Sequence, residues 1–222
     1  MMKRTKLADR SLPGYSIGEE IVNTATHLIG GLLGVIALVL CVRRASELGG
    51  APEITGAAVY GCCLVLLSAT SSIYHGLRPG MAKKVMQVLD HCAIYFLIAG
   101  SYSLVCLGVL RRTRPVIGWG ILGLEWVLCT VATVLTAIDL KRYKLFSMIC
   151  YIGMGWAIIP LAALLFDIMP PEGFWLLLAG GVSYPVGAVL FSIRRKWRHS
   201  VFHVFVVLGR VLQLFAFYFY GI

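Results

Sequence analysis

Arg194-Arg195-Lys196-Trp197-Arg198-His199-Ser200-Val201-Phe202-His203 introduces the last stretch of the chain, and an almost unbroken apolar run follows from Val201 to Tyr220. About 20 apolar residues in helical form cross a bilayer, and basic residues just ahead of such a run mark the side on which it starts. Two histidines four residues apart lie on one helical face, one turn from each other. The final stretch therefore reads as a membrane-spanning helix whose first turns carry two imidazoles beside the basic side.

The rest of the chain has the same character. Its 222 residues are 59% apolar, whereas a soluble domain is nearer about 45–50%. Six further apolar runs lie near 21–42, 55–77, 87–110, 116–138, 145–166 and 173–193, before the last at 200–220. Short connections separate them, marked by Gly49-Gly50, Pro52, Pro79-Gly80, Pro115 and Pro170-Pro171, all turn signals. The expected fold is all-α, an integral membrane bundle of seven helices. Residues 1–20 form a polar N-terminal segment and residues 21–222 the transmembrane domain, with no room for a second, soluble domain. No cleavable signal is evident in that segment. The seven cysteines stand in no CxxC pair and read as small buried hydrophobes.

The net charge of +10 suggests nucleic acid only until the basic residues are placed. Fourteen of the 20 lysines and arginines fall on the N-terminal segment and alternate connections, five fall on the other connections, and Arg210 lies inside the seventh helix. That asymmetry fixes orientation in a membrane. It puts the N-terminus in the cytoplasm and the C-terminus outside, and it makes lipids rather than nucleic acid the expected partners.

This topology places the polar residues at one depth. Glu19, Glu20, Asn23 and His27 open the first helix, and Ser71 and His75 close the second. Asp90 and His91 lie near the start of the third, and His199 and His203 open the seventh. All five histidines thus fall in the cytoplasmic third. Ionisable groups at such depth are costly and face the bundle interior with partners. Three imidazoles and a water make an open zinc site: His199 and His203 from one helix, His75 from another. Asp90 is placed to hydrogen-bond the water or to orient a histidine. Imidazole with carboxylate and no nearby thiolate favours zinc. The plainer reading is that each histidine makes its own helix-to-helix hydrogen bond, and that Ser71 bonds back to a helical carbonyl.

Several segments together resemble one family. They are Gly18-Glu19-Glu20-Ile21-Val22-Asn23 with Thr26-His27; Ser71 to His75; Leu89-Asp90-His91 through Ile98-Ala99-Gly100-Ser101-Tyr102; Gly153-Met154-Gly155-Trp156; Gly180-Gly181-Val182-Ser183-Tyr184; and His199 to His203. The chain resembles the hemolysin III branch of the progestin and adipoQ receptor family, which includes the adiponectin receptors and is distantly similar to alkaline ceramidases. The resemblance implies seven helices with a cytoplasmic N-terminus. It also implies zinc held by His75, His199 and His203, with Ser71 and Asp90 around the bound water. With the short loops, it points to a bacterial inner membrane.

Two positions depart from the pattern: Gln213 stands where a further histidine is expected, and Arg210 is unusual in mid-helix. Glu125, near mid-bilayer in the fourth helix, is the expected ion-pair partner of Arg210, directly or through water. Two functions follow. One is a zinc-dependent hydrolase of a lipid amide, with Asp90 as general base and Ser71 steadying water or oxyanion. The other is non-enzymatic, a lipid-sensing or membrane-homeostasis protein with structural zinc. A wide pore, as the hemolysin name suggests, would need polar residues at every depth.

Overall fold

The computed structural model describes residues 4–193 and 195–222; Lys3 and Arg194, counted above among the basic residues, lie outside them. Among the described residues, seven helices are long and apolar enough to cross a membrane, and there is no strand. They are α1 (Ile17–Leu48), α2 (Ala51–Gly76), α3 (Met81–Thr113), α4 (Pro115–Ile138), α5 (Lys144–Ile168), α6 (Pro171–Ser192) and α7 (Arg198–Gly221). The protein is an all-α, multi-pass membrane protein.

The helices outrun the apolar stretches because their starts are set by polar caps. In α1 the Ser16 hydroxyl accepts from the Glu19 amide at 3.3 Å, and the Glu19 carboxylate accepts from the Ser16 amide at 2.9 Å. This reciprocal cap satisfies two otherwise orphaned donors and starts the helix four residues before the first apolar run. At α2, Glu53 Oε2 accepts from the Gly50 amide at 2.9 Å, so two residues suffice to reverse the chain.

Large apolar side chains such as Ile21, Leu28, Leu32, Ile36 and Val39 face outward from α1, while Asn23 and His27 on the same helix are buried. Polar inside and apolar outside is the arrangement expected in lipid. The most enclosed span is α3, with 78% of its most apolar window buried against 17–28% for α1, α4, α5 and α6. It approaches α2 closely because Gly100 has no side chain; a Cβ there would lie 2.8 Å from Cys63 Sγ. A Cβ on Gly61 of α2 would come within 2.6 Å of the Leu38 backbone of α1. Small residues at such crossings let helices pack without a hydrophobic driving force.

Three irregularities escaped hydropathy. A π-turn occupies Cys106–Leu110 near the end of α3, another occupies Phe217–Gly221 at the end of α7, and the two meet where Gly108 faces the Gly221 carbonyl. A 3-10 turn at Ile159–Leu161, around Pro160, interrupts α5.

The N-terminal segment is tied across one end of the bundle. Asp139, between α4 and α5, accepts from the backbone amides of Thr5 (2.7 Å), Lys141 (3.1 Å) and Arg142 (3.1 Å). Burial pushes its carboxyl up, but these donors outweigh it and hold it below the usual carboxylate range. Lys84 donates to the Ala8 carbonyl at the same end. Because successive spans alternate in direction, this end also carries the start of α1, the end of α2 and the starts of α3 and α7.

A candidate metal centre of three histidines

His75, His199 and His203 converge there: one nitrogen from each lies within 4.8 Å of the other two. His199 Nε2 is 3.3 Å from His75 Nε2 and 3.0 Å from His203 Nε2. His75 comes from the last turn of α2, and the other pair from the first two turns of α7. All three are largely buried.

The groups behind the rings decide which nitrogen carries the proton. Glu20 Oε1 accepts from Lys83 Nζ at 2.6 Å, and Glu20 Oε2 faces His75 Nδ1 at 2.6 Å. An acceptor there requires the proton on Nδ1, which leaves the Nε2 lone pair bare. Asn23 Oδ1 accepts from Ser200 Oγ at 2.7 Å; its Nδ2, 3.4 Å from His75 Nδ1, makes no bond to a nitrogen that already donates to Glu20. Thr26 Oγ1 lies 2.9 Å from each of the Val22 and Asn23 carbonyls, so its proton is committed to them and a lone pair faces His203 Nδ1 at 3.5 Å. That contact is long, yet it sets the same tautomer. His199 Nδ1 has no partner among the described residues.

His199 Nε2 meets the Nε2 lone pairs of His75 and His203 at 3.3 and 3.0 Å, and lone pairs that face each other at such distances repel unless something positive lies between them. A single proton on His199 Nε2 can face only one neighbour. Two nitrogens bound to one zinc at about 2.0–2.1 Å in tetrahedral geometry are about 3.3 Å apart, so the observed spacing fits a shared ion. The carboxylate behind His75 is the support commonly found behind ligating imidazoles.

Asp90 is half-buried and lies outside the group within 4.8 Å. Its carboxyl neighbours the Ser71 hydroxyl and faces His75 and His91. His27 packs edge-on against His203, with ring centroids 4.3 Å apart. His91 does not join; its Nδ1 is 2.7 Å from the Gln87 carbonyl of its own helix. Tyr15 stacks on His199 with centroids 4.8 Å apart and 11° between planes. Burial, with the carboxylates of Glu20, Asp90 and Glu19 nearby, pushes the Tyr15 phenol above its usual range and keeps the ring neutral.

Lys83 is the clearest residue that sequence reasoning misplaced. It reads as one more loop charge, yet it is 3% exposed and also donates to the Leu77 carbonyl at 2.9 Å. Its place in the first turn of α3, opposite two glutamates opening α1, was the available signal. The Arg210–Glu125 pair is not formed. Arg210 Nη1 donates to Ser68 Oγ at 2.8 Å, while both Glu125 carboxyl oxygens are without a partner among the described residues. Glu125 lies instead beside Tyr102 and Cys106 of α3. Residue spacing gave their depth but not the faces on which they point.

A family model described as haemolysin-III related matches residues 15–214, which takes in every residue of the cluster. The chain is 36% identical over 205 residues to Hemolysin-3 of Bacillus cereus, covering 92% of each chain. It is 34% identical over 207 residues to the Hemolysin-3 homolog of Bacillus subtilis (strain 168), covering 93% of this chain and 96% of that one. No solved structure matches it. With seven spans and a match over most of its length, the chain belongs to the haemolysin-III-related family of membrane proteins.

Proposed function

We propose that the protein is a zinc-dependent hydrolase of a lipid amide, lying in the inner membrane with its N-terminus in the cytoplasm. The observation that carries this reading is the donor count. Among the described residues three imidazole nitrogens converge and no fourth protein ligand joins them, and structural zinc sites are almost always closed by four. His75, His199 and His203 would hold the ion. Zinc bound there would polarise a carbonyl and make water more acidic.

The chain's own groups then divide the work. Asp90, set back from the three nitrogens, takes the proton from the attacking water and returns it to the leaving amine. Ser71, beside Asp90, donates to the oxygen that gains charge. Glu20 and Lys83 hold the His75 ring so that Nε2 faces inward. The Tyr15 ring covers His199 on the side of the N-terminal segment, which directs an acyl-chain substrate to approach from the lipid. The basic residues clustered at this end of the bundle support the cytoplasmic assignment.

The stacked Tyr15 favours a second reading, a covered zinc that ties α2 to α7 in a lipid-sensing protein. The relatives' names point to cytolysis, but the three-histidine cluster gathers at one end of the bundle and does not run across it. Elemental analysis of purified protein is expected to find about one zinc per chain, lost in His203→Ala. Asp90→Asn with zinc and fold retained is expected to slow ceramide cleavage by about 10²-fold or more. Unchanged lipid turnover in that variant favours the tether.

A further inference from the structure

Of the three clustered rings, those of His75 and His203 are 2% and 3% exposed, and only His199 keeps part of its surface open. His199 is therefore the ligand nearest the outside. Aromatic side chains close round it. Tyr15 stacks on the ring, with centroids 4.8 Å apart and 11° between planes, and its centroid is 5.8 Å from that of His75 as well. Phe191 of α6 and Phe202 of α7 flank it at 5.1 and 6.2 Å. The two phenylalanines belong to spanning helices. Tyr15 does not, since α1 begins at Ile17.

The segment that carries Tyr15 is fastened on both sides of it. Upstream, Arg4 Nε and Arg10 Nη2 donate to the Ile138 carbonyl at 2.9 and 3.4 Å, and the Ala8 carbonyl accepts from Lys84. Downstream, Ser16 is locked into the cap of α1 by Glu19, whose other oxygen accepts from the Trp197 amide at 2.7 Å. Between these anchors Ser11, Pro13 and Gly14 are exposed, and a Cβ on Gly14 would meet nothing within 4 Å. Few contacts and high exposure put a segment at the low-stability end of a fold, where local opening is cheapest. A short loop that can open thus holds an aromatic ring flat against the outermost ligand.

We propose that residues 11–15 form a flap over the aqueous side of the cluster, with Tyr15 as its plug, and that zinc enters and leaves only when the flap lifts. The proposal rests on the zinc reading above and adds a second door to it: the lipid substrate arrives through the side of the bundle, the ion from the water at its end. The Tyr15 stack uses the face of the His199 ring, which is present with or without an ion. Weakening it therefore shifts the balance of closed and open flap alike in the loaded and empty protein. Entry and release quicken together, and affinity, their quotient, holds.

Stopped-flow mixing of the purified full chain tests this, with zinc for the stripped protein and a chromophoric chelator for the loaded one. Tyr15→Ala is expected to speed both uptake and release about tenfold, with the affinity held within about threefold. Tyr15→Phe keeps the ring and should keep the parent rates. Tyr15→Leu, which cannot stack, serves if the alanine variant does not fold. Unchanged release in Tyr15→Ala overturns the proposal. Faster release with unchanged uptake also overturns it, since Tyr15 would then be a prop for His199 and not a gate. Reaction of the metal-free protein with diethyl pyrocarbonate, located by mass spectrometry, reads the flap without zinc. His199 should react about tenfold faster in Tyr15→Ala than in the parent, and equal rates overturn the flap. A parent chain that takes up no zinc while the two proteins differ in that reaction brings down the metal reading and the zinc door with it, and leaves the flap standing.

Discussion

Two glutamates at opposite ends of the bundle divide their oxygens differently. Glu53, at the start of α2, is 3% exposed. Its Oε1 accepts from Arg111 at 2.8 Å and Arg112 at 2.9 Å, and its Oε2 closes the cap on Gly50. Every acceptor goes to holding α1, α2 and α3 together. Glu20, at the start of α1, gives one oxygen to Lys83 and the other to the Nδ1 of His75. The first bond is of the same kind as those of Glu53. The second fixes a tautomer and turns a nitrogen lone pair inward. The same residue type near a helix start is a fastener at one end and part of a ligand-presenting device at the other. The difference lies in whether the second partner can itself bind something.

Glu20→Gln is the sharpest test of that contrast. Removing a carboxylate behind a ligating imidazole typically lowers metal affinity about 10–100-fold, and competition with a chromophoric chelator should show a loss in this range. An unchanged affinity would make Glu20 another fastener. Glu53→Gln should do the reverse. With both arginines part-exposed, screening reduces the pair's worth, so a loss of about 1–2 kcal/mol in stability is expected, read by denaturant unfolding, with zinc affinity unmoved.

Asp139 is a third carboxylate, outside the spans, and acts only on the fold. Its folded-state pKa is lowered, so its contribution is complete above the ordinary carboxylate value of about 3.9 and is lost as pH falls through the lowered one. Asp139→Asn should cost about 1 kcal/mol at neutral pH, and the gap in Tm from the parent should close in acid below about pH 4. The smallest effect is expected at the 3.5 Å contact of Thr26 with His203. Thr26→Val should change zinc affinity by about twofold, the low end for a neutral hydrogen bond.

Hydropathy made the seven spans legible because apolar length is what a bilayer demands. The shared depth of the histidines followed from span order alone, and the structure brings His75, His199 and His203 together. What stayed hidden was rotation about each helix axis. Arg210 and Glu125 share a depth but face different neighbours, and His91 points back along α3. Lys83 was hidden because it stands at a span boundary, where a charge counts equally as loop or as interior. The π-turns leave no hydropathic mark, since their residues are as apolar as the α-helix around them.

The first and last helices are neighbours, joined where Ser200 reaches Asn23 and Trp197 donates its amide to Glu19 at 2.7 Å. A ribosome makes α1 first and α7 last. By the time α1 and α2 are inserted, Asn23, His27, Ser68 and His75 are already in the lipid, and their partners on α7 are roughly 120 residues from being synthesised. Until then the growing chain carries a polar stripe that only its own final span can cover. Premature termination after α6 would leave that stripe open to membrane proteases, and completion of the seventh helix is the event that hides it.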